Sequence, residues 1–277
     1  MADDSDLPQV VNRPGGATVG EQFRELLEAR ELIGFLAVRD LKSRYKQTVF
    51  GLAWAVLQPL IGAAVFLVLM TRVVGVDTDP VPYLLYVFVG FVAWTYFQAS
   101  FTSASEVFTR NTDLITKVYF ARLASPIAAL VPGLVSVVVG LAVLVPMLLA
   151  YQRSPGWPIV TLPLWLLALF VATLGPALMA SALLVRYRDL RQVVGLGLQT
   201  MLFVTPVVYD ASGIEGGVRW LYYANPLAGV LAGLRWSTIA AAGPPTEAAL
   251  SLGVAVVLVA VGMFVFRRFE RTFADVI

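Results

Sequence analysis

LASPIAALVPGLVSVVVGLAVLVPMLLAYQ, residues 123–152, runs for 30 positions without an Asp, Glu, Lys or Arg. A helix needs about 20 apolar residues to cross the hydrocarbon core of a bilayer. Five further runs of at least 18 residues carry no formal charge: Gln47–Thr71, Pro80–Ser105, Ser154–Val185, Gln192–Tyr209 and Ala248–Phe266. One such run fits a buried helix of a soluble core; six do not. Composition agrees, with 58% hydrophobic and 14% charged residues, against about 25% charged in soluble domains. The bilayer is the solvent for most of this chain. The reading is an all-α integral membrane protein with six transmembrane helices.

Composition also removes chemistry. The chain has no Cys and no His. Disulfides, thiolate nucleophiles, zinc–cysteine sites, iron–sulfur clusters, the Ser-His-Asp triad and imidazole metal ligands are therefore excluded. A net charge of +2 gives no reason to expect nucleic acid as a partner.

Orientation follows from Lys and Arg, which accumulate on the cytoplasmic side. With six spans both termini share one side, and that side collects 16 of the 20 basic residues. They are Arg13, Arg24, Arg30, Arg39, Lys42, Arg44 and Lys46, then Arg110, Lys117 and Arg122, then Arg186, Arg188 and Arg191, and last Arg267, Arg268 and Arg271. The opposite side holds Arg72, Arg153, Arg219 and Arg235. Both termini are expected in the cytoplasm.

Trp220–Gly243 is apolar apart from Arg235. A crossing there would strand Arg235 in the bilayer and send the last three arginines outside. Asn225-Pro226 breaks the run, since proline disfavours helix at the residue before it. Residues 212–243 are expected to form a re-entrant or interfacial helical hairpin on the outer face, before the last span. Irregular backbone survives at that depth only under a protein or water-lined cavity, so a cavity is expected near the outer mouth.

Residues 1–20 are acidic and polar, with no apolar segment of a signal peptide, and read as a disordered cytoplasmic tail. Thr18 and Glu21 have capping-box spacing. From 21 to 47 the chain is amphipathic, with Phe23, Leu26, Leu27, Ile33, Leu36 and Leu41 set against Arg24, Glu28, Arg39, Lys42 and Lys46. Such a helix feeding a span lies in the membrane interface, or serves as a plain anchor. The transmembrane domain then covers 48–277. Between the second and third spans, in the loop 103–125, Asn111 can cap a short helix and Asp113 suits its first turn. Leu114, Ile115 and Val118 give it a small apolar face, which docks into a partner or packs on the chain's own spans.

Several local motifs follow one another in a specific order. They are Arg39-Asp40-Leu41-Lys42-Ser43-Arg44-Tyr45, Gly51-Leu52-Ala53-Trp54, Gln58-Pro59, the stretch Asn111–Phe120, and Tyr187-Arg188-Asp189. Thr205-Pro206, Asn225-Pro226-Leu227, Phe269-Glu270-Arg271 and Phe273-Ala274-Asp275 complete the series. Across residues 30–277 this order resembles the permease subunit of bacterial ABC type-2 polysaccharide exporters, which move O-antigens, teichoic acids, capsules and galactan. Two mild departures are Thr205, where many members carry serine, and Ala121, where proline is common.

The resemblance implies two copies of the permease around a channel, with two ATP-binding cassette subunits beneath. The ATPase would engage Asn111, Thr112, Asp113, Leu114, Ile115, Lys117 and Val118. ATP and Mg would sit on that partner, with no cofactor on this chain. The sequence agrees in lacking a GxxxxGK[ST] phosphate loop. Its uncharged runs also lack the intramembrane ionisable residues usual in ion-driven carriers. The implied substrate is a lipid-linked polysaccharide at the bacterial plasma membrane, with a pyrophosphate at the cytoplasmic surface. Arg39, Lys42, Arg44 and Lys46 lie at that level, and arginine binds phosphate through two parallel hydrogen bonds. The cytoplasmic charge bias alone would also put them there. Tyr83, Tyr86 and Tyr223 are the candidate channel-lining rings, with an interfacial aromatic belt as the competing reading. Asn225 and Pro226 would form the outer gate hairpin. Two alternatives remain: an ABC type-2 exporter of small lipophilic compounds, and a membrane-embedded glycan or lipid enzyme. The enzyme would need clustered titratable groups, and only Arg186–Arg191 is dense in them.

Overall fold

The computed structural model describes residues 29–46, 51–74, 82–110, 122–209, 214, 216–270 and 273. Its helices are α1 (Arg30–Tyr45), α2 (Trp54–Val68), α3 (Tyr83–Ser105), α4 (Val107–Arg110) and α5 (Ala124–Ala150). Then come α6 (Leu162–Arg186), α7 (Leu190–Val204), α8 (Gly217–Tyr223), α9 (Pro226–Ile239) and α10 (Ala248–Glu270). No strand occurs among the described residues. Adjoining 3-10 and π turns included, five helices are long and apolar enough to cross a membrane: Gly51–Arg72, Tyr83–Ser105, Ala124–Ala150, Trp157–Arg186 and Ala248–Glu270. The protein is an all-α, multi-pass membrane protein.

The fifth uncharged run behaves differently. It extends to Tyr209, yet α7 stops at Val204 after 15 residues. At 1.5 Å per residue that spans about 22 Å, short of a hydrocarbon core of about 30 Å. Pro206 explains the stop, because it drives Thr205 into extended backbone (φ −84°, ψ 139°). The chain then runs without helix through residue 209.

Packing grades the spans. α3 is central, with 16 of its 23 residues buried, and it meets α2, α5, α6 and α9. α2 buries only Pro59 and Ala63, so most of its surface faces outward. The most extensive pairing joins α6 and α10. There Gly175 and Gly262 let backbone meet backbone: a Cβ at 175 would lie 2.5 Å from the Leu258 carbonyl carbon, and one at 262 would lie 2.5 Å from the Gly175 carbonyl oxygen. In lipid, where the hydrophobic effect gives helices no reason to associate, such small-residue contacts supply the attraction.

The stretch expected as a hairpin holds α8 and α9, separated at Ala224-Asn225. α9 does not lie on the surface. Eleven of its 14 residues are buried, and it packs among α3, α6 and α10. Arg235, counted above among the charges of the outer side, goes in with it and is 3% exposed. At the other end α1 lays Leu36 and Ala37 against Ala128 of α5, while Phe35 and Val38 stay exposed. The part of the amphipathic stretch before residue 29 lies outside the described residues.

Candidate functional site

Two ends of the bundle carry its polar groups. At the hairpin end, the non-helical stretch after α7 presents carbonyls that no helix satisfies. An unpaired carbonyl at membrane depth costs several kcal/mol. Three consecutive ones are met by side chains. The Arg235 Nη2 donates to Val207 O at 2.8 Å, the Tyr83 hydroxyl to Val208 O at 2.6 Å, and the Tyr86 hydroxyl to Tyr209 O at 3.3 Å. Arg235 also donates from Nε to Tyr86 O at 3.2 Å, and its guanidinium lies 3.5 Å from the centre of the Tyr86 ring. Gly90, one turn further along α3, leaves the space. A Cβ there would lie 2.3 Å from Val207 O and 2.7 Å from Arg235 Nη2.

The hairpin is tied in at its break. The Asn225 side chain accepts from Leu227 N at 3.0 Å and so caps α9. Its Nδ2 donates to Thr205 Oγ1 at 2.9 Å. Pro226 follows at the first helical position, where its missing N–H is no loss. From α10, Ser251 Oγ donates to Tyr223 O at 2.7 Å and accepts from Gly229 N at 3.1 Å. Tyr83 and Tyr223 are thus buried inside the chain and Tyr86 is half-buried. The structure brings Tyr83 and Tyr86 together on one face of α3, as their spacing implied, and sets their hydroxyls against backbone of the same chain.

Outside the spans, Arg219 of α8 grips Glu247 just before α10, with Nε 2.9 Å from Oε1 and Nη2 donating to Oε2 at 3.3 Å. A hydrogen bond from its own backbone amide, and after it the Arg219 guanidinium, hold the Glu247 carboxyl below its ordinary 4.5. A lowered carboxyl contributes stability above its unfolded value and loses it as pH falls through the folded one. Amide exchange in Gly217–Tyr223 is therefore expected to lose protection as pH drops from about 6 to about 3.5. A Glu247→Gln variant should lack this step. Equal pH dependence in both proteins would show that the ion pair does not hold α8.

α7 is the least embedded helix, with Leu198 alone buried. Gln192 and Gln199 lie two turns apart with Gly195 between them, and all three are exposed. At the basic end, Arg39 donates to its neighbour Asp40 from Nε at 3.0 Å and Nη2 at 2.9 Å. Lys42, Arg44 and Lys46 are exposed. Asn111–Val118 lie outside the described residues, but both flanks of that loop are in view. Before it, Glu106 pairs with Arg110 and with Arg191 of α7. Phe108 packs on Phe266 and Phe273, ring centres 5.8 and 5.2 Å away. After it, Arg122 Nη1 donates to Glu270 O at 2.6 Å.

Sequence reasoning missed three of these residues: Arg235, Glu106 and Arg191. The signal for Arg235 was present, since a solitary arginine in a 24-residue apolar stretch needs carbonyl or ring partners. Nothing local marks Glu106 and Arg191 as partners, because they meet only through the fold. Among the described residues no group of acidic side chains is placed to hold a metal ion.

These features define a multi-pass helical membrane protein with the buried helix α9 and its polar anchors at one end and a charged platform at the other. The chain belongs to the ABC-2 type transporter family, whose model matches residues 31–239. It is similar to the O-antigen export system permease protein RfbA of Myxococcus xanthus, 30% identical over 255 residues that cover 91% of this chain and 97% of that one. Two proteins of the same name from Klebsiella pneumoniae are each 27% identical over 253 residues, covering 89% of this chain and 95% of theirs.

Proposed function

We propose that this chain is the membrane subunit of an ATP-driven exporter that carries a lipid-linked polysaccharide across the bacterial inner membrane. A second copy completes the channel, and a separate pair of ATP-binding subunits works beneath it. The observation that carries the reading is the outward face of α7. Polar Gln199, well inside the helix and on its exposed side, is costly against lipid and favourable against water or another protein, while Gln192 continues that face to the charged end beside Arg191. A wet path between two copies supplies both. The names of the relatives give the cargo class.

The basic end faces the cytoplasm, following the bias of Lys and Arg. α1 then lies at the cytoplasmic surface, where the exposed Lys42, Arg44 and Lys46 meet the phosphates of arriving lipid-linked donor. Arg39 shares its guanidinium with Asp40 and is the less available of the four. Asn111–Val118 engage the ATPase, which holds ATP and Mg. The hairpin of α8 and α9, broken at Asn225-Pro226, caps the opposite mouth.

The test is transport in membrane vesicles with the cytoplasmic side outward, containing this chain and its ATP-binding partner. ATP-dependent uptake of lipid-linked glycan into the lumen is the expected result. Uptake of a hydrophobic drug without uptake of glycan would replace this reading with an exporter of small lipophilic compounds.

A further inference from the structure

We infer that an anionic phospholipid of the surrounding membrane occupies the groove between α3, α6 and α7, with one acyl chain inside it and its phosphate on Arg186 and Arg188. The inference goes beyond the transport reading and takes from it only which face of α7 meets the glycan. The groove has a volume of about 260 Å³ and lies between Phe101 of α3, Met179, Ala180 and Leu184 of α6, and Leu190 and Val194 of α7. Every residue that lines it is apolar. Water has no polar partner in such a space, and a gap left empty forfeits the contacts of the atoms around it. Hydrocarbon is what the bilayer supplies to fill it.

Leu184 stands near the end of α6 and Leu190 begins α7, so the groove reaches the turn that joins the two helices. That turn is tight, with Leu190 N donating back to Tyr187 O at 3.3 Å. It gathers Arg186, Arg188 and Arg191 within six residues, all exposed. Their availability differs. Arg191 is held by Glu106 at 3.2 Å. Arg186 lies over the rings of Tyr187 and Phe269, 5.6 and 5.8 Å from their centres. Stacking uses the face of a guanidinium and leaves its N–H edge for an oxyanion. Among the described residues, the Arg188 side chain has no ion-pair or hydrogen-bond partner. Asp189 offsets one charge, so the two available arginines leave an excess of one, which suits a phosphodiester. Tyr187, exposed at the same turn, is a residue type that collects at headgroup depth. Basic pockets between helices at that depth on the cytoplasmic side bind anionic headgroups. The face of α7 separates this lipid from the cargo. Leu190 and Val194 share one side of the helix, and at 3.6 residues per turn Gln192 and Gln199 fall on the opposite one.

The experiment uses the complex of this chain with its ATP-binding partner in phosphatidylcholine vesicles carrying a minor share of phosphatidylglycerol with a photoactivatable acyl chain. Crosslinks are mapped by peptide mass. They are expected on the groove residues between Met179 and Val194, reduced by unlabelled phosphatidylglycerol and untouched by added phosphatidylcholine. Arg188→Gln should lower the labelling about fivefold, the worth of one arginine at an anionic surface, and Arg188→Lys should keep most of it. Ala180→Phe fills the groove with every charge in place and should lower the labelling as well. Full labelling in Ala180→Phe, or equal labelling by a phosphatidylcholine probe, would show general attraction to the basic end and overturn the proposal. No labelling of the groove by either probe would mean that protein, such as a second copy, covers it, and displacement by lipid-linked glycan would make it a substrate site. Either result overturns the proposal. A complex that labels as expected yet exports no glycan would overturn the transport reading and leave the lipid site standing.

Discussion

Replacing Arg235 by leucine is expected to loosen the hairpin end and lower the melting temperature of the detergent-solubilised protein by about 5 °C or more. The substitution leaves Val207 O without its guanidinium donor, and a buried acceptor left unpaired costs about 1–3 kcal/mol. It also removes the cation from the Tyr86 ring, worth about 2 kcal/mol in a desolvated setting. Against these stands the cost of burying the charge, which leucine relieves, so a net loss of about 2–4 kcal/mol is expected. Arg235→Lys should recover little, because an ammonium cannot reach Val207 O and Tyr86 O as one planar fork while stacking on a ring. Thermal unfolding of both variants checks this. A leucine variant that melts within a degree of wild type would show that the carbonyls find other donors.

Aspartate at both Leu114 and Ile115 is expected to strip the ATP-binding partner from the purified protein and abolish ATP-driven export. On the reading proposed above, these side chains fill an apolar groove of the ATPase. Burying a carboxylate there without a partner costs several kcal/mol, and two exceed what a protein–protein contact of modest size can absorb. Membrane insertion should persist, since residues 111–121 lie between spans and in none of them. A double variant that still copurifies with its full complement of ATPase and still exports would show that coupling runs through another segment.

How much of this was legible beforehand divides along physical lines. The long helices were, because a charge missing for 20 residues is a property of the sequence itself and the bilayer acts on it directly. The early end of α7 was legible in part: Thr205-Pro206 is a helix-ending pair, but the uncharged run continued past it and drew the eye onward. The spacing of Tyr83 and Tyr86 put both rings on one face of α3. What those hydroxyls would meet depends on two carbonyls 125 and 123 residues later, freed by the same proline, and no local pattern records that. Arg235 went to the outer side because a tally of charges assumes that each one seeks water. Here it found backbone oxygen and a ring instead. Glu106 and Arg191 are 85 positions apart and unremarkable singly, so their pairing belongs to the fold.

The contact between Gly175 and Gly262 has a use beyond holding two helices. With backbone seated on backbone, α6 and α10 share no compressible side-chain layer at the crossing, and so form a benchmark within a moving molecule. In a chain with no native cysteine, spin labels on the outward positions Leu167 of α6 and Val257 of α10 define a reference length. Any distance from that pair to a label on α7 or α8 can then be read as displacement of the second element, uncorrupted by drift of the first.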